Sequence, residues 1–219
     1  MASNKRGGAA PAKSVIVIAG EGQNDRDVLK HLVPALGPWP RTRRPKLVEI
    51  KTKMALSKAQ GQLVPRLDKL RMLANGLAQK AQAQLAGIVV HVDLDAVIDE
   101  RYDERRKQLA GGLQKTFGCD TALALAADEM EAWLMLFPEA FEKVRPGWRL
   151  SDQDRRRDLG AIAEGSKERL KAQLTQPPYR ESDAPEVMKA AVAHNLLTQC
   201  DPSRNRSYAD FAAELEQWT

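Results

Sequence analysis

Residues 14–25 read SVIVIAGEGQND, and this stretch decides the fold class. Ser14 to Ala19 is a short β-branched run closed by Gly20, the pattern of a buried strand. Gly20-Glu21-Gly22 then makes a tight turn. Asn24 or Asp25 can cap a helix whose apolar face is Val28, Leu29, Leu32 and Val33. Pro34, Pro38 and Pro40 are expected to end it. The same alternation continues outward. Lys46 to Lys51 (KLVEIK) reads as a second strand. Leu63, Leu67, Leu70, Leu73 and Leu77 recur at helical steps, in a helix expected to start near Pro65. Gly87 opens a third buried strand, Ile88 to Val92, which runs out in Asp93-Leu94-Asp95. A polar helix over Asp99–Thr116, a fourth strand over Thr121–Ala126 and a helix within Asp128–Phe137 follow. Alternation of this kind predicts an α/β fold: a parallel sheet of about four strands with helices on both faces.

The domain boundaries follow from the same reading. Residues 1–13 are expected to be a flexible basic tail, and 14–140 the α/β domain. Residues 141–219 are expected to be a C-terminal helical extension packed on it, with helices at 166–174, 184–197 and 208–218. There is no internal repeat. The chain of 219 residues is 43% hydrophobic and 29% charged, which excludes disorder over most of its length. No apolar run approaches the ~20 residues of a membrane helix. The start carries no signal-peptide core, so a cytosolic location is expected. Cys119 and Cys200 lack metal-finger spacing, which excludes a zinc finger or a disulfide scaffold.

The net charge of +5 is a weak clue, but the charges are segregated. Pro38 to Lys80 holds eleven basic residues against Glu49 and Asp68, and Asp93 to Glu142 holds twelve acidic against five basic. The basic stretch is either a solvated face or a track for a polyanion. Ligands of open α/β sheets bind beyond the carboxyl ends of the strands. Three acidic groups fall there: Glu21 with Asp25, Asp93 with Asp95, and Glu129 with Glu131. In an extended strand end, Asp93 and Asp95 share one side. Like charges this close repel unless a cation neutralises them, and oxygen ligands suit Mg²⁺. Plainer readings stand beside these. Glu21 can be a helix-start acid, Asp25 an N-cap, and Glu129 and Glu131 solvated helix charges. Trp133 reads as core. His91 lies two residues before Asp93, so it faces the same side, either as a strand-face histidine or as a support for the acid. No GxGxxG motif and no ordered nucleophile triad is present.

The strand followed by Gly20-Glu21-Gly22, and the later strand ending in Asp-x-Asp, resemble the Toprim domain of topoisomerases, primases and OLD-type nucleases. Asp25 after Glu21 looks like the Glu-x-x-x-Asp spacing of the nuclease branch. Ala126 to Phe137 (AADEMEAWLMLF) is similar to the Glu-Ala-Trp-Leu segment of a small Toprim-like family. Ser166-Lys167-Glu168-Arg169-Leu170 and Tyr208–Leu215 look like that family's later segments. Gln23 and Asn24 stand where the family has small or hydroxylated residues. The resemblance implies a Rossmann-like Toprim fold and Mg²⁺-dependent (or Mn²⁺-dependent) nuclease chemistry, cutting or nicking DNA. It also implies a role in defence against phage or plasmids. Asp93 and Asp95 would hold the metal, and Glu21 would complete the site or act as general acid/base. Asp25, Glu129 and Glu131 would take a second ion, and Lys167 would stabilise phosphate charge. Arg41, Arg43, Arg44, Lys46, Lys51, Lys53 and Lys58 would follow the nucleic-acid backbone. With no Walker lysine in the chain, an ATPase would be a separate partner, and the chain could form a homo-oligomer. The competing expectations are a non-catalytic nucleic-acid-binding or regulatory subunit, and Mg²⁺-dependent phosphoryl chemistry on RNA or nucleotides.

Overall fold

The first apolar run forms β1 (Ser14–Ala19), and Gln23–Leu36 follows as α1. The computed structural model describes residues 13–40, 42, 44–56, 61–162 and 165–218, so all of the expected tail but Lys13 lies outside it. The alternation continues through β2 (Lys46–Glu49), α2 (Leu63–Lys80), β3 (Gln84–Asp93), α3 (Glu100–Thr116) and β4 (Asp120–Ala126). The strands form one all-parallel, Rossmann-like sheet in the order β2-β1-β3-β4. The C-terminal part continues with α4 (Met130–Leu134), α5 (Pro138–Val144), α6 (Asp152–Arg156), α7 (Ser166–Gln173), α8 (Ala184–Ala193) and α9 (Arg206–Glu216). Among the described residues, no helix is long and apolar enough to cross a membrane.

Side chains alternate across each strand, and this sorts the core into two layers. Ile16, Ile18 and Val89 face one layer with α1 and the C-terminal helices. Val17, Ala19, Ile88, Val90 and Val92 face the other with α2 and α3. In β4 the first face carries only alanines, Ala122, Ala124 and Ala126, while Leu123 and Leu125 point to α3. The C-terminal segment completes one face of the sheet: Phe211, Leu215 and Trp218 share a cluster with Ile16 and Val89. It also covers the free edge of β4. Glu214 accepts the Leu123 N–H at 2.7 Å and pairs with Arg106 at 2.6 Å, so the unpaired edge is closed by side chains.

Several local expectations need correction. Pro34 lies inside α1, which runs on to Leu36 and closes at Gly37, whose N–H donates to Val33 O at 2.9 Å. Proline removes its own N–H and crowds the carbonyl four residues back, yet the turn beyond it is still closed by the Gly37 N–H. β2 ends at Glu49, although Ile50 N still donates to Ile18 O at 2.9 Å. α4 lies within the expected Asp128–Phe137 segment, but the helix does not run on, and Pro138 opens a new one, α5, at its first position. α2 starts at Leu63 rather than near Pro65, and α8 stops at Ala193, where Asn195 turns left-handed (φ 57°). α9 is capped by Asn205 and so begins at Arg206. α5 and α6 have no counterpart in the sequence reading.

Candidate functional site

The strand order places a crevice where the chain leaves β1 and β3 for opposite faces. α1 lies on one side of the sheet, and α2 and α3 on the other. At such a switch point the loops splay apart and open a site above the carboxyl ends. Glu21 and Gly22 follow β1 there. Asp25 stands in the first turn of α1, where Gly22 N–H donates to its Oδ2 at 2.9 Å. Asp93 is the last residue of β3. Glu129 and Glu131 lie just beyond β4, and Lys167 comes from the start of α7. All seven line one cleft of about 340 Å³. Asp95, Lys53 and Glu181 line it too.

The expected reason for the placement of Asp95 is wrong in one respect. It does not share a strand face with Asp93, because β3 has already ended and Asp95 adopts a left-handed backbone (φ 54°). Aspartate tolerates that conformation better than most residues. Leu94 and Ala96 N–H groups still bond to Ala126 and Ala127 carbonyls at 2.9 Å, which pins the loop and brings the carboxylate back to the cleft.

The cleft is strongly acidic, and its electrostatics follow. Partial burial, then the charges of Asp93, Glu21 and Asp128, hold the Asp95 carboxyl above the usual range. Glu131 is 6% exposed, and burial together with Glu129 pushes its carboxyl up to about 7. The hydroxyl of buried Tyr179 donates to Glu131 Oε1 at 3.3 Å. Burial works against the charge of Lys167, but its contact with Glu129 more than offsets this and raises its pKa. Its Nζ is 2.8 Å from Glu129 Oε1 and 3.5 Å from Glu181 Oε1, and its backbone N–H donates to Glu129 Oε2 at 3.2 Å. Both oxygens of Glu129 are therefore engaged by Lys167. The neighbouring Ser166 N–H donates to Asp128 Oδ2 at 2.6 Å, so two acids after β4 dock the start of α7.

Under the cleft lies His91, fully buried. Nδ1 is 3.6 Å from Asp25 Oδ2 and Nε2 is 3.3 Å from Asp93 Oδ1, neither with hydrogen-bond alignment. Burial alone would lower its pKa, but Asp93, Asp25 and Glu21 raise it to about 9. Asp25, His91 and Asp93 present ligand atoms within 4.8 Å of one another.

Among the described residues, the basic ones are spread along the length of β2 and are not gathered at the cleft. β2 runs parallel to β1 with Lys46 beside Val15, so Arg44 and Lys46 sit at the far end of the sheet from the cleft. Lys51 and Lys53 follow the carboxyl end of β2; both are exposed, and Lys53 reaches the cleft. Arg41, Arg43 and Lys58 lie outside the described residues. Tyr179 and Glu181 are site residues that the sequence did not reveal. The two-residue spacing of His91 to Asp93 gave its side of β3 but left its role open between strand-face histidine and support for the acid.

His91 and Glu131 predict a pH dependence of stability in metal-free protein. Both folded-state pKa values lie above the ordinary ones of 6.5 and 4.5. Each therefore contributes stability that is full below its unfolded pKa and lost as pH rises through its folded one. In EDTA, the urea midpoint is expected to fall between pH 4.5 and about 7 through Glu131, and between 6.5 and about 9 through His91. The expected loss is about 1 to 3 kcal/mol for each group. Glu131→Gln should flatten the lower window alone. An unchanged lower window in that variant would contradict the assignment.

No family model, no curated protein and no solved structure matches the chain.

Proposed function

We propose that this chain is a metal-dependent phosphodiesterase of Toprim type that cuts or nicks DNA. The observation that carries the reading is the meeting of carboxylates from three strand ends in one cleft at the sheet's switch point, with Lys53 and Lys167 beside them. The donor set supports a hard divalent cation, Mg²⁺ or Mn²⁺, because the lining carboxylates offer oxygen. Asp25, Asp93 and Asp95 would hold the ion together with Glu21. Glu129, engaged by Lys167, is better suited to orient that lysine. When bound, such an ion supplies charge neutralisation at the scissile phosphate and a more acidic water.

The chain's own groups do the rest. Lys53 and Lys167 meet non-bridging phosphate oxygens and hold the backbone across the cleft. Glu131, its carboxyl pushed up to about 7 by burial, takes a proton from the attacking water, and solvent protonates the leaving oxygen. Tyr179 holds the Glu131 carboxyl in place through its hydroxyl. A separate ATPase is the partner that the resemblance supports. The test is incubation of supercoiled plasmid and labelled RNA with Mg²⁺, Mn²⁺ or EDTA. Nicked or linear plasmid with metal and none in EDTA is expected. DNA binding without cleavage under every metal condition would overturn the enzyme reading in favour of a binding subunit. Cleavage of RNA alone would overturn the choice of substrate.

A further inference from the structure

Asp25 and Asp93 belong to different elements, α1 and β3, and their carboxylates approach each other across one buried side chain. His91 lies between them, with one ring nitrogen 3.6 Å from Asp25 and the other 3.3 Å from Asp93. Both carboxylates line the cleft, whereas the ring does not and has no exposed surface. The imidazole therefore stands behind the acids, on the side away from anything entering. It is also fixed there. A Cβ at position 20 would lie 3.3 Å from His91 Cβ and 3.3 Å from Arg26 Cγ, so Gly20 is the space into which the histidine packs. Arg26 is itself held by Gly20 O at 3.2 Å and Gln23 Oε1 at 2.8 Å.

We propose that His91 is a positioning residue: it bridges Asp25 and Asp93 from beneath and holds them at the span a divalent cation needs, without binding the cation. The inference rests on the metal reading of the cleft. An aliphatic side chain in its place would leave two like charges facing each other with nothing between. Loss of an outer partner of a metal ligand typically weakens metal binding about 10- to 100-fold. Asparagine and glutamine are the informative replacements, since their amide nitrogens reach toward the places of Nδ1 and Nε2 respectively.

The test uses the full chain and Mn²⁺ alone, with free Mn²⁺ read from its electron paramagnetic resonance signal. Wild type is expected to bind, and Asp93→Asn to lose binding. His91→Leu should weaken binding about 10- to 100-fold, with His91→Gln recovering part of the loss by facing Asp93. Circular dichroism checks the fold. If the leucine variant does not fold, His91→Asn decides, with weakening of about 10-fold expected. Pulsed spectra of the wild-type complex should show no directly bound nitrogen. A bound-nitrogen signal would make His91 a ligand and overturn the proposal. So would wild-type affinity in the leucine or asparagine variant. Absence of Mn²⁺ binding by wild type, or equal binding by Asp93→Asn, would overturn the metal reading and this inference with it.

Discussion

Asp93→Asn is expected to lower Mn²⁺-dependent DNA cleavage by at least about 10²-fold, the scale on which one preorganised charge contributes to a transition state. Asp93 closes β3, one of the two inner strands, and reaches the cleft between the acids that follow β1 and those that follow β4. The asparagine keeps the size of the side chain and removes its charge. Two effects on folding oppose each other. Asp95, held up partly by Asp93, is relieved of repulsion, while His91 loses its nearest carboxylate. The melting temperature in EDTA should therefore move little, and the loss of cleavage cannot be assigned to unfolding. Rates on plasmid at the Mn²⁺ concentration that saturates wild type, beside melting curves of both proteins, make the comparison. Cleavage within threefold of wild type would remove Asp93 from the chemistry.

Trp133→Ala is expected to lower folding stability by about 3 to 5 kcal/mol, the usual range for deleting a large buried aromatic. Trp133 has no exposed surface. It stacks on Phe211 at 5.3 Å, meets Tyr208 edge-on at 5.6 Å, and donates its indole N–H to Ser207 Oγ at 2.8 Å. Through these contacts the segment after β4 is bonded to α9, which covers one face of the sheet. The cavity would open inside a cluster that includes Ile16 and Val89, so sheet and C-terminal helices should lose stability together. Urea unfolding followed by circular dichroism should show one transition with a lower midpoint. A loss below 1 kcal/mol, or a C-terminal transition separate from that of the sheet, would contradict this packing.

The strands were legible because a parallel sheet covered on both faces demands unbroken apolar runs, and SVIVIA and GIVVHV supply them. The acids at their carboxyl ends were legible for the same reason: the end of each run marks where a ligand can sit. Trp133 lies in the core as expected, while Glu131, which could have been a solvated helix charge, is buried and lines the cleft. Long-range placements were not legible. Between α7 and α8, Glu181 lines the cleft and Tyr179 backs it through Glu131, and no local signal announces either contact. The described part of the basic stretch is spread out for a geometric reason. Each strand residue advances ~3.3 Å, so a track continuous in sequence crosses the sheet from one end to the other. Lys53 arrives at the cleft, and Lys46 stays at the opposite end.

The central claim is that the carboxylates at the switch point form a metal centre. Anomalous diffraction from crystals soaked in Mn²⁺ tests it most directly. The account predicts a manganese peak in the cleft within about 2.0 to 2.6 Å of carboxylate oxygens, with Asp93 among the ligands. A cleft without manganese, with Lys167 and Lys53 drawn in among the acids instead, would contradict it.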